Sequence, residues 1–145
     1  MMFAPETRIL LVDDMTEQHD IASGALRSLG FNGAHKTALN GKQALEILAQ
    51  SLSAQQPIEL MITDWEMPEM TGLELVKAVR AEPAYAGLAI VMVTGLSAHG
   101  QILEALQAGA NNYIVKPLTP EELQPKLVKT WDVIQKKRKI ANKQP

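Results

Sequence analysis

The segment LAIVMVT, Leu88 to Thr94, is apolar up to its final residue, and IELMITD, Ile58 to Asp64, is nearly so apart from Glu59, Thr63 and the closing aspartate. A strand with one face in water alternates apolar and polar side chains, whereas one that is apolar throughout must be covered on both faces. These two runs therefore call for a sheet with helices packed on each side.

The rest of the chain supplies that arrangement. RILLVDD (Arg8 to Asp14) reads as a first strand, GAHKT (Gly33 to Thr37) as a weak second and NYIV (Asn112 to Val115) as a fifth. Between the strands lie segments of helical period. One starts near Thr16, with Ile21, Ala22, Ala25, Leu26 and Leu29 on one face, and closes at Gly30. Asn40 is placed to cap a second helix carrying Ala44, Leu45, Ile47 and Leu48. Gly72 to Ala81, with Leu73, Val76 and Val79 inward, and Ser97 to Ala108 read as the third and fourth. Thr119-Pro120-Glu121-Glu122 is a capping box that opens the last helix, whose buried stripe is Leu123, Leu127, Trp131 and Ile134. Five strand–helix pairs in this order predict an α/β fold, a doubly wound five-stranded parallel sheet. The stretch from Ala49 to Pro57 makes the crossover before strand three long.

At 145 residues the chain suits one domain with a real core. The absence of cysteine excludes disulfides and thiolate metal sites. No apolar run reaches the ~20 residues of a membrane helix, and MMFAPETR lacks the regions of a signal peptide. The expected location is cytoplasmic. The net charge of −2 conceals an asymmetry: from Lys126 onward seven basic residues face one acid, a balance of +6, which leaves −8 on the rest. An acidic body argues against direct nucleic-acid binding. The KKRK run, Lys136 to Lys139, reads as a solvated helix end that complements the helix dipole, or as a contact for an acidic partner. His19, His35 and His99 show no ligand spacing and are expected at the surface.

Ligands of doubly wound sheets bind beyond the carboxyl ends of the strands. Strand one ends on Asp13 and Asp14, strand three on Asp64, strand four on Thr94 and strand five on Lys116. In a parallel sheet these five side chains share one rim. Each alone is no more than a cap, a turn or a strand former, but all five at the correct end of their strands are hard to assign to capping. Carboxylates gathered there repel unless they share a cation. Oxygen ligands without histidine or cysteine suit a hard ion, Mg²⁺ or Mn²⁺. A metal, a lysine and a threonine hydroxyl are the parts that phosphoryl transfer requires.

Asp13-Asp14, Asp64 followed by Met67-Pro68 and Gly72, Thr94-Gly95 and Lys116-Pro117 together resemble the receiver domain of two-component response regulators. The likeness runs from about Arg8 to Trp131. It implies the flavodoxin-like (βα)5 fold with strand order 2-1-3-4-5, a receiver domain over residues 1–134 and a basic C-terminal tail over 135–145. It makes Asp64 the phosphoacceptor, Asp14 the direct Mg²⁺ ligand and Asp13 a ligand acting mainly through water. The backbone carbonyl of Glu66 would complete the metal shell, and Thr94 and Lys116 would hold the phosphoryl oxygens. The Lys116–Pro117 bond is expected cis. Thr94 and Tyr113 correspond to the family's switch, and the output face is helix four, strand five and helix five.

Asp-Trp-x-Met-Pro, QAGANNYIVKP and the short C-terminus are similar to stand-alone chemotaxis receivers of the CheY type. The resemblance implies a histidine kinase or phosphotransfer protein as donor and a downstream effector protein as partner. It also implies a monomer or a phosphorylation-dependent dimer, and no turnover chemistry beyond self-phosphorylation and autodephosphorylation. An alternative is a receiver belonging to a larger hybrid kinase or effector-bearing regulator. An aspartyl phosphohydrolase of the haloacid dehalogenase kind fits less well, because its acid stands early in the chain with a second aspartate two residues on. Three positions are expected to tune the site: Gly95, where a larger side chain would narrow access; apolar Leu96, which cannot orient a water; and Glu66, where the closest chemotaxis proteins often carry an amide.

Overall fold

The structure, a computed structural model, describes residues 3–33, 35–95 and 99–143. Its centre is strand β3 (Leu60–Asp64), every residue of which is buried. β1 (Ile9–Val12) pairs with it on one side and β4 (Ala89–Thr94) on the other, in parallel registers that set Ile9 opposite Leu60 and Leu60 opposite Ala89. β2 (Lys36–Ala38) and β5 (Asn112–Val115) form the edges, giving the order β2-β1-β3-β4-β5. That is the expected fold class and strand order.

The strands alternate between two cores. Ile9, Leu11, Ile62, Val91, Val93 and Ile114 point to the side where α1 (Thr16–Ser28) and α5 (Pro120–Lys143) supply Leu26, Leu123 and Leu127. Leu10, Val12, Met61, Ile90 and Met92 point to the other, against α2 (Gly41–Ser53), α3 (Gly72–Ala81) and α4 (His99–Ala108). Covering both faces is what allows Ala89 to Val93 to be apolar without a break.

Local signals set most of the helix starts. Asn40 Oδ1 accepts the Gln43 amide at 2.8 Å, and Thr119 Oγ1 accepts that of Glu122 at 3.2 Å. Thr71 and Glu74 form a capping box that opens α3. Trp131 packs edge-on against Phe3, ring centroids 5.0 Å apart.

Several expectations shift. β2 starts at Lys36 rather than Gly33, and Ala34 lies outside the described residues. Its first two residues are exposed, as an edge strand permits. Ile21 is 46% exposed although the helical period points it inward, whereas Leu75, outside the stripe of Leu73, Val76 and Val79, is fully buried. His19 is buried at 8% exposure, contrary to a surface position. His35 is partly buried, and desolvation lowers its pKa. The side chain of His99, like Ser97, falls outside the described residues. The long crossover is a longer helix, α2 running to Ser53, followed by a turn with Gln55 at φ 60°. α5 continues without a break past residue 134 to Lys143.

Arg80 ties the amino-terminal end of the sheet together. Its guanidinium donates to the carbonyls of Gly109, Tyr85 and Leu88 at 2.7–2.9 Å and to Asn111 Oδ1 at 3.0 Å. Asn111 Oδ1 also accepts the Ile90 amide at 2.8 Å. One side chain thus joins α3, the turn before β4 and the turn before β5. Arg80→Lys should destabilise the protein by about 2–4 kcal/mol, because an ammonium cannot replace a planar fork of donors. Urea unfolding measures this.

Candidate functional site

The parallel registers bring the ends of β1, β3, β4 and β5 to one rim. Asp13 and Asp14 follow β1, Asp64 and Thr94 are the last residues of β3 and β4, and Lys116 follows β5. One carboxylate oxygen from each of Asp13, Asp14 and Asp64 lies within 4.8 Å of the others. Lys116 Nζ stands 3.2 Å from Asp64 Oδ1 and 4.0 Å from Asp13 Oδ2. Asp64 and Asp13 are 5% and 7% exposed, whereas Asp14 faces solvent.

Backbone donors fix these acids. The Trp65 amide donates to Asp64 Oδ1 at 2.9 Å, and the Met15 amide to Asp13 Oδ1 at 3.0 Å. Met15 is the N-cap of α1 but offers no side-chain oxygen, so the loop is shaped by the Asp13 carboxylate instead. His19 Nε2 is 2.8 Å from the Asp13 carbonyl oxygen, and since a carbonyl only accepts, Nε2 carries the proton. His19, Ala22 and Leu26 share one helical stripe, and that spacing could have placed the histidine inward.

The turn after Asp64 needs a glycine. A Cβ on Gly72 would collide with the Asp64 carbonyl oxygen and stand 2.9 Å from Trp65 Cα, while the Gly72 amide donates to the Trp65 carbonyl at 2.8 Å. Met67 is buried and Glu69 takes φ 70°. Glu66 is exposed beside the rim, and a Cβ on Gly95 would meet open space. Leu96 lies outside the described residues. Thr94 is buried at 2% exposure. The Lys116–Pro117 peptide is cis, as expected. Tyr113 is half-buried, with Lys126 Nζ 4.1 Å from its ring centroid, a cation–π contact that reaches from α5 to β5.

Burial pushes the Asp64 carboxyl up from its ordinary range, opposed by Lys116 and the Trp65 amide and reinforced by Asp14. Burial likewise raises Asp13, with Asp64 adding to the shift and the Met15 amide and Lys116 opposing it. Three ionised carboxylates and one ammonium leave a formal −2, which a divalent cation neutralises. The donors are hard oxygens only, so the residues fit Mg²⁺ or Mn²⁺. For both aspartates the folded pKa lies above the unfolded value of 3.8. Their contribution to stability is therefore complete below that value and is lost as pH rises through the folded pKa. Asp13→Asn should raise the urea midpoint of the metal-free protein at neutral pH and leave little gain at low pH. Since the residues fit Mg²⁺, added Mg²⁺ should raise the urea midpoint of the unmodified chain, and the same replacement should blunt that rise.

Residues 9–128 match the model of the response regulator receiver domain. A chemotaxis protein CheY homolog of Campylobacter jejuni is 42% identical over 120 residues, 83% of this chain and 88% of that protein. The chemotaxis protein CheY of Pseudomonas aeruginosa is 39% identical over 125 residues, 86% and 96% of the two chains. Among solved structures, the chemotaxis protein CheY4 of Vibrio cholerae superposes with a TM-score of 0.71 at 33% identity, over 86% of this chain and 98% of that one.

Proposed function

Since the chain belongs to the response regulator receiver family, whose general function is switching by phosphorylation, we propose that it is a chemotaxis-type signalling switch with Asp64 as the phosphoacceptor. The observation that carries this reading is Asp64 itself: a buried carboxylate at the end of the central strand, 3.2 Å from Lys116 and grouped with Asp13 and Asp14.

A carboxylate oxygen of Asp64 attacks the phosphorus of a phosphohistidine on a histidine kinase or phosphotransfer protein. The new O–P bond forms as the P–N bond breaks, and the imidazole leaves with the electron pair and takes up a proton. Asp64 Oδ1 is held by Lys116 and by the Trp65 amide, which leaves the other carboxylate oxygen, Oδ2, as the nucleophile. Asp13, Asp14, Asp64 and the Glu66 carbonyl would hold Mg²⁺, which when bound neutralises charge on the transferring phosphoryl group. Lys116 stays beside the phosphoryl oxygens as a second positive charge, and the Thr94 hydroxyl donates to one of them. In hydrolysis, water attacks the acyl phosphate and releases inorganic phosphate and the free carboxylate.

The output runs through Thr94 and Tyr113. As Thr94 turns to the phosphoryl group, the Tyr113 ring moves inward and the face formed by α4, β5 and α5 changes shape for a downstream protein. Leu103 and Leu106 on α4, 56% and 41% exposed, give that face apolar side chains to present. Half-burial of Tyr113 supports a ring able to move either way.

Incubation with Mg²⁺ and a small phosphodonor should add one phosphoryl group to the intact mass, and Asp64→Asn should add none. Absence of an adduct with every donor tried refutes the reading. Glu66 carries a carboxylate near the path of the hydrolytic water, so Glu66→Asn should change the lifetime of the acyl phosphate by about two- to tenfold. Release of labelled phosphate from the two proteins compares them directly.

A further inference from the structure

A cavity of about 510 Å³ opens where the chain enters β4 and β5, at the opposite pole of the sheet from Asp64. Its lining is mainly apolar, with Leu88, Ala108 and Ile134 among the walls. The charged residues lining it are Arg80, Lys137 and Arg138, with no acid among them. Ile134, Lys137 and Arg138 stand at i, i+3 and i+4 on α5 and so share one helical face. They lie beyond residue 128, where the match to the family model ends, on the part of α5 that continues to Lys143.

Two features give the cavity a positive field. Arg80 has no carboxylate within ion-pair distance among the described residues, its donors going to three carbonyls and an amide oxygen. The second is the lip, where Lys137 and Arg138 line the cavity and are both exposed. Cations over a low-dielectric wall focus potential toward its mouth. Exposed cations beside an apolar trough match a ligand whose carboxylates flank an apolar side chain. A phosphate backbone would run on over the acidic remainder of the chain, at −8 against +6 for residues 126–145, whereas a short peptide need touch only the cavity.

We propose that this cavity docks an acidic peptide segment of a partner protein, one apolar side chain entering the trough at Leu88, Ala108 and Ile134 while flanking carboxylates pair with Lys137 and Arg138. The site is remote from the carboxyl rim and does not depend on phosphorylation of Asp64.

Gly87 is a position from which to block the trough. It lines the cavity, and a Cβ built on it meets nothing within 4 Å, so the side chain of Gly87→Leu starts in open space beside the trough. Fluorescence anisotropy of a labelled peptide of glutamates around a central leucine, titrated with the full chain, reads binding. The affinity should fall with added salt, and the glutamine version of the peptide should bind at least about tenfold more weakly. Gly87→Leu and the double replacement Lys137→Glu/Arg138→Glu should each weaken binding by a similar factor while retaining the unmodified circular dichroism spectrum. The proposal is overturned by any of three results: no binding of the glutamate peptide, equal binding of its glutamine counterpart, or undiminished affinity in either folded variant. Tighter binding of duplex DNA or of anionic phospholipid vesicles than of the peptide, lost on the double replacement, overturns it in favour of that other occupant.

Discussion

Like charge gathered at the open end of a parallel sheet is the constraint on which the rest depends. Three carboxylates approach within 4.8 Å of one another, two of them largely out of water, where repulsion and desolvation both oppose ionisation. The fold tolerates this because Lys116, Trp65 N–H and Met15 N–H partly compensate the charge. What remains is a local deficit of positive charge, and three hard oxygen donors in such a deficit fit a divalent cation.

Much of the structure near the rim serves to hold that deficit in place. Gly72 brings the start of α3 against the backbone of Asp64 and Trp65, where no larger residue fits. His19 reaches from α1 to the Asp13 carbonyl and anchors the loop from beneath. Tyr113 under Lys126 lies one strand farther out, where its half-buried ring couples β5 to α5. At the other pole Arg80 binds α3 to two turns through neutral acceptors, so its charge is balanced by dipoles rather than by acids. The rim at Asp64 therefore holds acids short of cations, whereas the charged residues lining the cavity beside Arg80 are all cations.

The elements were legible where one residue type in one place suffices. Continuous apolar runs announced β3 and β4, Asn40 and Thr119 announced two helix starts, and the acids closing β1 and β3 announced the rim. Legibility failed where a neighbour distant in sequence decides. β2 is an exposed edge strand, so its pairing with Leu10 to Val12 sets its limits and its own pattern does not. Ile21 follows the helical period yet faces solvent, because the period gives a stripe and not the width of what covers it. His19 is polar and lacks ligand spacing, but a single buried carbonyl acceptor is enough to draw it inside.

From sequence alone came the α/β class, the parallel sheet and the set Asp13, Asp14, Asp64, Thr94 and Lys116, because hydrophobic period and strand-terminal position are one-dimensional properties. Only the tertiary structure decided the distances among those residues, the compensating donors of Trp65 and Met15, the buried histidine and the cationic cavity under α5. Each of these joins groups on different elements, and their separation in space is set by registers and helix packing that no local stretch of the chain encodes.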